Sequence, residues 1–475
     1  MGNCCSNYAG MWRALQQGNY SIKEINYGGA DATVLRRNIG VTVVSLLDQH
    51  NIRYVFDMDL VEKVPFTLGN TALRPAVLGG HCPGMLSNGV EHVRRKEFAM
   101  AVIQRSLTNS LFSTMVEQLH AHTSMWATVG HNIYDFEDRV NRFCADAVST
   151  VILGTTLPYE SVRAWQNGLH SHRPRVPTLG RYLAKSHALR ALPVLLRNIR
   201  NAPAYEEIIH LGKTCGLTEE EATHEILYTI VGHALPQVQN PLLACLAAYA
   251  AMPDLDRRQM WEEMNKVLHN VGTFTEAVLS SMTCVESFIL EVLRLRPPME
   301  MFFGRARKDF IVKTRDREIF QVHEGEVVCG SAFWAGRDPT SFRVPIMFRR
   351  NRFACPGSEA LRGSLIFGRG PLTFLPTTEN HQCPGLELAM GVLKPSMAWL
   401  LMFCKWKLTE EPKWSGKKRS RCGKPDNPMG MVTFKYYPTD VANYYPLPGV
   451  TPSNEKGKPG KDNSPNVSSF VSSIL

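Results

Sequence analysis

The sequence predicts a mainly α-helical protein with a small β region, an α+β fold in which helices dominate. Apolar residues recur at helical spacing along most of the chain. Several of these stretches begin with a capping signal, as in Leu217-Thr218-Glu219-Glu220-Glu221. Strand-like alternation is confined to a few short segments, and the apolar fraction of 44% is ample for a sizeable core.

Taken in order, the helical pattern predicts helices over residues 33–51, 90–105, 107–129, 133–152, 159–170, 191–199, 203–213, 218–251, 255–269, 274–295 and 385–403. Strand-like segments are fewer and cover 52–56, 308–312, 319–322, 327–330 and 431–437. Each is short and rich in β-branched or aromatic residues, which favour extended backbone. The strands therefore predict a small sheet region attached to a helical body.

The domain organisation follows from composition. No Gly-, Ser- or Pro-rich linker interrupts residues 10–440, so we expect one catalytic domain over 31–445. Residues 1–30 form an N-terminal segment. Residues 446–475 are mostly Ser, Asn, Lys, Gly and Pro, a composition that predicts a disordered tail.

Bulk charge and cysteine usage exclude several classes of protein. The net charge of +10 is partly local to a basic stretch over 405–424, which is either a solvated loop or a surface for anionic lipid. No nucleic-acid-binding signature is present, so nucleic acid is not an expected partner. Twelve scattered cysteines without metal-type pairs favour a reducing, intracellular compartment. No apolar run approaches the roughly 20 residues of a transmembrane helix.

The first residues carry a separate signal. Met1-Gly2-Asn3-Cys4-Cys5-Ser6 fits the N-myristoylation pattern, and Cys4 and Cys5 are candidates for palmitoylation. Two acyl chains anchor a protein where one binds only marginally. The alternative is a chance match of a short motif. The pattern predicts peripheral membrane association through Gly2, Cys4 and Cys5.

Two Cys-Pro-Gly loops are present, at Cys355 and Cys383. Cys383 directly precedes an apolar helical pattern, so its thiolate would face a helix N-terminus with N–H groups and a positive dipole end. Upstream, Glu291-Val292-Leu293-Arg294 lies on a predicted buried helix that Pro297-Pro298 ends. A Glu-x-x-Arg helix, then strands, then a loop cysteine is the order found in haem-thiolate enzymes, and it favours Cys383 over Cys355.

These motifs resemble the cytochrome P-450 superfamily, and within it the branch that rearranges fatty-acid hydroperoxides: allene oxide synthases, hydroperoxide lyases, divinyl ether synthases and epoxyalcohol synthases. The resemblance runs over most of residues 50–410. Its most specific part is Asn380-His381-Gln382-Cys383, which is similar to the branch's Asn-Lys-Gln-Cys. The resemblance implies the cytochrome P-450 fold, with haem b between a central helix and the cysteine loop.

The same resemblance implies roles for particular residues. Cys383 is the expected axial thiolate ligand of iron, which increases electron density on the metal and favours O–O cleavage. The haem carboxylates are expected to bind His92, Lys96, His381 and Arg305. Glu291 and Arg294 are expected to share a buried charged network with Arg352 beneath the haem. An exposed ion pair is the alternative, which the apolar neighbours disfavour.

The predicted helix over residues 218–251, called the central helix below, indicates the chemistry. Oxygen-activating monooxygenases usually carry an acid and an alcohol there to deliver protons, but this chain has Ala234 and Leu235. A substrate with its own O–O bond needs no such relay. His233 replaces the branch's usual Asn. It could orient a peroxide, coordinate iron, or face the protein with its hydrogen bonds satisfied there. Gln237 is the nearest replacement amide, and Pro236 predicts a kink.

The predicted function is therefore rearrangement or dehydration of polyunsaturated fatty-acid hydroperoxides to oxylipins, with no external dioxygen or reductase. Among such lyases and isomerases, allene oxide synthase-like chemistry is favoured, with His233 and Gln237 as catalytic candidates. Two alternatives stay open. One is a reductase-dependent cytochrome P-450 monooxygenase, and the other is a catalytically silent haem-binding relative.

Overall fold

The computed structural model describes residues 33–38, 42–68, 71–108, 111–169, 178–314, 319–358, 361–362, 376–414, 425, 429–447 and 450–452. Helices dominate and the sheets are small, so the predicted fold class is confirmed. Gly2, Cys4, Cys5 and nearly all of the predicted tail lie outside the described residues. Within the described part, no helix is long and apolar enough to cross a membrane.

The α-helices of the described residues are α1 Gly89–Thr108, α2 Leu111–Val129, α3 Phe136–Leu153, α4 Tyr159–Leu169, α5 Thr178–Arg200, α6 Tyr205–Thr214, α7 Glu219–Leu227, α8 Leu235–Ala250, α9 Asp254–Val271, α10 Glu276–Ser281, α11 Thr283–Leu295, α12 Ala332–Ala335, α13 Leu386–Met402 and α14 Pro438–Ala442. Short 3-10 turns cover Ile52–Phe56, Pro75–Leu78 and Gly84–Leu86.

The strands of the described residues are β1 Val34–Asn38, β2 Thr42–Leu46, β3 Val61–Glu62, β4 Thr67–Leu68, β5 Thr71–Ala72, β6 His131–Ile133, β7 Met301–Ala306, β8 Phe310–Lys313, β9 Ile319–Val322, β10 Val327–Ser331, β11 Cys404–Leu408 and β12 Met431–Tyr436. The largest sheet has the order β1-β2-β10-β7-β3, in which β2 and β10 are parallel and the other pairs antiparallel. A second sheet has the order β11-β12-β6.

Two element predictions are wrong near the N-terminus. Residues 33–51 were expected to form a helix but contain β1 and β2, and Ile52–Phe56 is a 3-10 turn where a strand was expected. The residues of β2 are buried almost throughout, which hides the alternation that marks a strand. Their pairing with β10 joins segments some 280 residues apart, as in Val43 opposite Val327.

The helical core lies around α8, which packs against α3, α11 and α13. Large aromatic side chains are fully buried in this core, among them Trp399, Phe274 and Phe288. Burial of such a side chain contributes roughly 1.5–3 kcal/mol. This core holds the central helix and the cysteine-loop helix in a fixed relation to each other.

The central helix changes its hydrogen bonding along its length. The predicted cap is confirmed: Thr218 and Glu221 form a reciprocal capping box at the start of α7. Between α7 and α8, residues Tyr228–Ala234 form a π-helix, and the Leu235 N–H donates to the carbonyl of Ile230, five residues back. Pro236 has no N–H to donate to the carbonyl four residues before it. The disturbance expected at Pro236 thus takes the form of a π-helical segment immediately before it.

The cysteine loop, residues 380–385 before α13, contacts the 3-10 turn at Ile52–Phe56 and the residue after it. The His381 N–H donates to the Phe56 carbonyl at 3.0 Å, and Asn380 forms a β-bridge with Asp57. The loop then enters α13 through Pro384 and Gly385. These contacts place the Cys383 side chain opposite the π-helical segment.

Candidate active site

A large cavity lies between the central helix and the cysteine loop. It encloses about 1510 Å³, counting the space at its open mouth. Most of its walls are apolar. The lining includes Phe56, Lys63, Met85, Leu86, His92, Arg95, Lys96, Glu225, Tyr228, His233, Ala234, Gln237, Met299, Phe302, Phe303, His381, Gln382 and Cys383.

Cys383 is positioned by the turn that opens α13. The Gly385 N–H donates to the Cys383 Sγ at 3.4 Å, and α13 begins one residue later. A backbone donor and the positive end of a helix both stabilise a thiolate. Cys355, in contrast, is exposed and its thiol donates to the Asn351 carbonyl at 3.2 Å. The structure therefore places Cys383, and not Cys355, in the cavity.

His233 faces Cys383 from the π-helical segment. Its Nε2 lies 3.8 Å from the Cys383 Sγ. Burial lowers the pKa of His233 to about 4, so its imidazole is neutral at physiological pH. Its other nitrogen, Nδ1, has no hydrogen-bond partner among the described residues. Gln237 lines the same cavity one turn further along α8.

One end of the cavity is basic. Lys63, Lys96 and His381 line it together. Burial lowers the pKa of Lys63 to about 8, and burial with repulsion from Lys63 lowers the pKa of Lys96 to about 7 against the opposing attraction of Cys383. Burial, followed by repulsion from Lys63, His92 and Lys96, holds the pKa of His381 far below its usual range. Such a cluster is electrostatically suited to an anionic group.

Asn380 organises this basic end. Lys96 donates to the Asn380 backbone carbonyl and, at 3.0 Å, to its side-chain Oδ1. The His92 ring lies with Nδ1 2.8 Å from the Gly84 carbonyl and Nε2 3.2 Å from the Asn380 carbonyl. His92 is therefore tied to backbone carbonyls and packs edge-on against His381, with ring centroids 4.7 Å apart. Lys96 retains a third N–H for the cavity.

The predicted charged network forms, but its members Glu291, Arg294 and Arg352 are not among the residues that line the cavity. Glu291 is fully buried and accepts from Arg294 Nε at 2.7 Å and Nη2 at 2.8 Å. Arg352 Nε donates to the same carboxylate at 3.0 Å, and the Arg349 N–H donates at 2.9 Å. The arginines also donate to backbone carbonyls, such as Gly336 from Arg294 and Arg343 from Arg352. The network joins α11 to the irregular segment around 343–353.

Two features differ from the expectations. Arg305 lies on β7, paired with Val327 and Glu62, and does not line the cavity. The face of β7 that carries the Arg305 side chain depends on the register of β7 with distant strands, which the local sequence does not specify. Lys63 lines the basic end although it was not among the residues expected to bind the haem carboxylates. Lys63 follows β3, which lies near the cysteine loop in space although the two segments are some 320 residues apart in the chain. No local motif could therefore identify Lys63.

The residues present fit a haem group. A porphyrin carries two carboxylates, and Lys63, Lys96 and His381 form a desolvated basic cluster beside the cysteine loop. Gln382 is buried with an unpaired side-chain Oε1 next to Cys383. The donor set is a thiolate at a helix N-terminus with apolar walls above it, which is suited to haem-thiolate ligation. Haem b with Cys383 as the iron ligand is therefore the expected cofactor.

Comparison with known proteins agrees with this arrangement. Residues 217–430 match the family described as Cytochrome P450. The chain is 24% identical over 384 residues to divinyl ether synthase CYP74D3 of Nicotiana tabacum, covering 73% of this chain and 77% of that protein. It is 22% identical to linolenate hydroperoxide lyase of Arabidopsis thaliana, covering 74% of this chain and 75% of that protein.

Shorter and structural matches point the same way. Allene oxide synthase 1 of Oryza sativa is 28% identical over 216 residues, 44% of this chain and 42% of that protein. The solved structure of a point mutant of cytochrome P450SP alpha matches with a TM-score of 0.64 at 16% identity, covering 91% of this chain and 98% of that chain. The retinoic acid-bound cyanobacterial CYP120A1 matches with a TM-score of 0.64 at 17% identity, covering 89% and 96%. The chain thus has the fold of the cytochrome P450 structures, its residues 217–430 match the Cytochrome P450 family, and it is similar to divinyl ether synthases, hydroperoxide lyases and allene oxide synthases.

Proposed function

We propose that this chain is a haem-thiolate enzyme that rearranges or dehydrates polyunsaturated fatty-acid hydroperoxides, with no external dioxygen or reductase. Two of its relatives are named as lyases of fatty-acid hydroperoxides, from Arabidopsis thaliana and Solanum lycopersicum. Such reactions conserve electrons: an isomer, or a product that has lost water, forms from the hydroperoxide alone. An electron donor is therefore unnecessary.

The observation that carries the proposal is the composition of the distal wall opposite Cys383. The positions where a monooxygenase usually has its acid and alcohol hold Ala234, which lines the cavity, and Leu235, which is fully buried in packing. Neither side chain can deliver a proton to bound dioxygen. A reductase-dependent monooxygenase is consequently disfavoured, whereas a substrate that brings its own O–O bond is compatible with this wall.

The walls of the cavity also suit a long acyl chain. Aromatic and sulfur-containing side chains line it, including Phe56, Met85, Phe302 and Phe303. Phe56 and Phe302 pack with ring centroids 4.9 Å apart, which makes a continuous apolar surface. Burial of a hydrocarbon chain there is favourable by about 0.8 kcal/mol for each CH₂ group. The apolar walls would also exclude water from the reacting carbon atoms.

Haem held by Cys383 would supply the iron that cleaves the O–O bond of the substrate. The chain would do the remaining work. Lys63 and Lys96 would hold the haem carboxylates. His233 carries an N–H when neutral, and this N–H can donate to a peroxide oxygen and orient it. The Gln237 amide is one turn away and offers a second donor. Together, His233 and Gln237 would replace the Asn that is usual in the branch that this chain resembles.

The finer assignment is dehydration of the allene oxide synthase type. It is supported by the resemblance, and by the presence in the cavity lining of His233, a side chain of the type that can carry a proton. Product analysis by mass spectrometry after incubation with one hydroperoxide isomer tests it. An epoxyalcohol or a pair of chain-cleavage products would replace the dehydratase assignment while leaving the general function intact.

The general function is tested by turnover. Haem-loaded protein is expected to consume a fatty-acid hydroperoxide without NADPH, and Cys383→Ser protein is not. A wild-type protein that shows the thiolate-type ferrous–CO band but consumes no hydroperoxide would instead be a catalytically silent relative.

Residues 31–445 are proposed to form the catalytic domain, and the first residues to attach it to a membrane surface. Gly2, Cys4 and Cys5 support this by their match to an acylation motif. Mass spectrometry of the N-terminal peptide from a eukaryotic host tests the attachment. An unmodified Gly2 in that peptide removes it.

A further inference from the structure

We propose that His233 binds the haem iron directly in the substrate-free protein, opposite Cys383, and leaves it when a hydroperoxide binds. The inference rests on the proposed function in one respect, which is that Cys383 holds haem. It assigns the resting protein a closed, six-coordinate site with two protein ligands. His233 is then a ligand of the metal in the substrate-free protein. After it has left the metal, it is the hydrogen-bond donor that orients the substrate.

The distance between the two side chains carries the inference. The His233 Nε2 lies 3.8 Å from the Cys383 Sγ. Bonds to first-row metals are about 2.3 Å from thiolate and about 2.1 Å from imidazole, as for zinc. A metal in line between the two groups therefore separates sulfur and nitrogen by about 4.4 Å. The observed separation needs to grow by only about 0.6 Å.

A purely orienting role requires a different separation. A peroxide oxygen would stand between the metal and the imidazole, which adds a hydrogen bond of about 2.8 Å to bonds of about 2.3 and 2.1 Å. Sulfur and nitrogen would then lie about 7 Å apart along a straight line. The ring of His233 is about 3 Å too close to Cys383 for that arrangement. The side chain must therefore withdraw before a hydroperoxide can bind.

The orientation of the ring fits a ligand that can be displaced. Nε2, the nitrogen at the tip of the ring, is the one that faces the sulfur. Permanent histidine ligands usually donate their other N–H to a carbonyl or carboxylate, which fixes the ring. The Nδ1 of His233 has no such partner among the described residues. In the part of the chain that the structure describes, no hydrogen bond on that side fixes the ring against the metal.

The backbone offers a route for the withdrawal. His233 belongs to the π-helical segment Tyr228–Ala234, whose last turn is closed by the Leu235 N–H to Ile230 carbonyl bond. Pro236 cannot donate to the carbonyl of Gly232, so one α-helical bond is absent whichever register the segment adopts. A change of register at this place costs fewer hydrogen bonds than it would elsewhere in the helix. Such a change would move the His233 side chain relative to Cys383.

The test is spectroscopic and does not depend on activity. Haem-loaded wild-type protein is compared with His233→Ala, with and without saturating imidazole, by absorption and electron paramagnetic resonance of the ferric form. We expect the wild-type spectrum to coincide with that of His233→Ala in imidazole. Thr229→Ala, which alters the same cavity lining one turn away, is the matched control and is expected to keep the wild-type spectrum.

Competition gives the second readout. A tethered ligand acts at an effective concentration of about millimolar or higher. We therefore expect the apparent Kd of added imidazole to be at least about tenfold higher for the wild type than for His233→Ala. Addition of the fatty-acid alcohol that corresponds to the hydroperoxide, which cannot be cleaved, is expected to shift the wild type away from the imidazole-ligated spectrum.

Equal imidazole affinity and equal starting spectra in wild type and His233→Ala would overturn the inference and leave the proposed function standing. If wild-type protein holds no haem through Cys383, seen as loss of the thiolate-type ferrous–CO band, the proposed function and the inference fall together. His233→Asn serves as the second variant if His233→Ala does not fold, since it keeps a polar side chain that cannot reach the sulfur as closely.

Discussion

Replacing Glu291 by alanine removes a buried carboxylate that two arginines share. Glu291 is 0% exposed, and Arg294 and Arg352 direct their charged groups to it at 2.7–3.1 Å. The backbone carbonyls that also accept from the arginines do not neutralise them. Loss of one partner from a buried ion pair costs about 3–5 kcal/mol because an uncompensated charge stays buried. We expect a loss of unfolding free energy in that range.

A matched control is available on the surface. Arg258 and Glu262 form a pair at 3.0 Å with side chains that are 57% and 54% exposed. Exposed pairs contribute about 0–1 kcal/mol, so Glu262→Ala should be nearly silent. Urea unfolding of both variants, followed by tryptophan fluorescence with and without added salt, measures the difference. Equal destabilisation by Glu291→Ala and Glu262→Ala would show that burial of the carboxylate makes no difference to the cost of its loss.

Three further predictions follow from the site and its surroundings. Cys383→Ser is expected to abolish the thiolate-type ferrous–CO band, whereas Cys355→Ser keeps it; loss in both would contradict the ligand assignment. Lys96→Met is expected to speed haem loss by about tenfold or more, since a hydrogen bond to a charged group contributes about 1.5–3 kcal/mol; an unchanged rate of transfer to a haem acceptor protein would contradict it. Burial, with repulsion from His81, lowers the pKa of His224 from 6.5 to about 4. The unfolded chain therefore binds a proton in that window that the folded chain does not, and stability falls as pH drops from 6.5 to 4. A difference of this size between the folded and unfolded pKa corresponds to a loss of at most about 3 kcal/mol. The difference in unfolding free energy between wild type and His224→Gln, measured from pH 6.5 to pH 4, isolates the contribution of His224. A difference that does not change with pH would contradict this prediction.

The local signals in the sequence were sufficient for most helices. The helix α11 was expected within 274–295 and the helix α13 within 385–403, and both form there. Their apolar periodicity, with Pro297-Pro298 after one and Cys-Pro-Gly before the other, is encoded within a few residues. The region of β1 and β2 was predicted wrongly because its partner β10 comes about 280 residues later. Pairing over that distance is decided by tertiary packing and leaves no local pattern.

The site divides in the same way. Cys383, His381 and Lys96 were found from motifs, and the structure brings them together around one cavity. Arg305 was assigned to the site but lies outside the lining, because its side of β7 depends on the register with β10 and β3. The π-helical register at His233 was not predictable either. Pro236 signalled a disturbance in the helix, but the kind of disturbance depends on how the segment packs over the cavity.

The central claim is that the substrate itself provides the O–O bond. The most direct measurement is consumption of a defined polyunsaturated fatty-acid hydroperoxide by haem-loaded protein under anaerobic conditions, without NADPH or reductase. We expect complete conversion to a rearranged or dehydrated product, and no conversion by Cys383→Ser. Failure of the wild type to consume the hydroperoxide, or consumption only when dioxygen, NADPH and a reductase are supplied, would show that the substrate does not supply the O–O bond in this way.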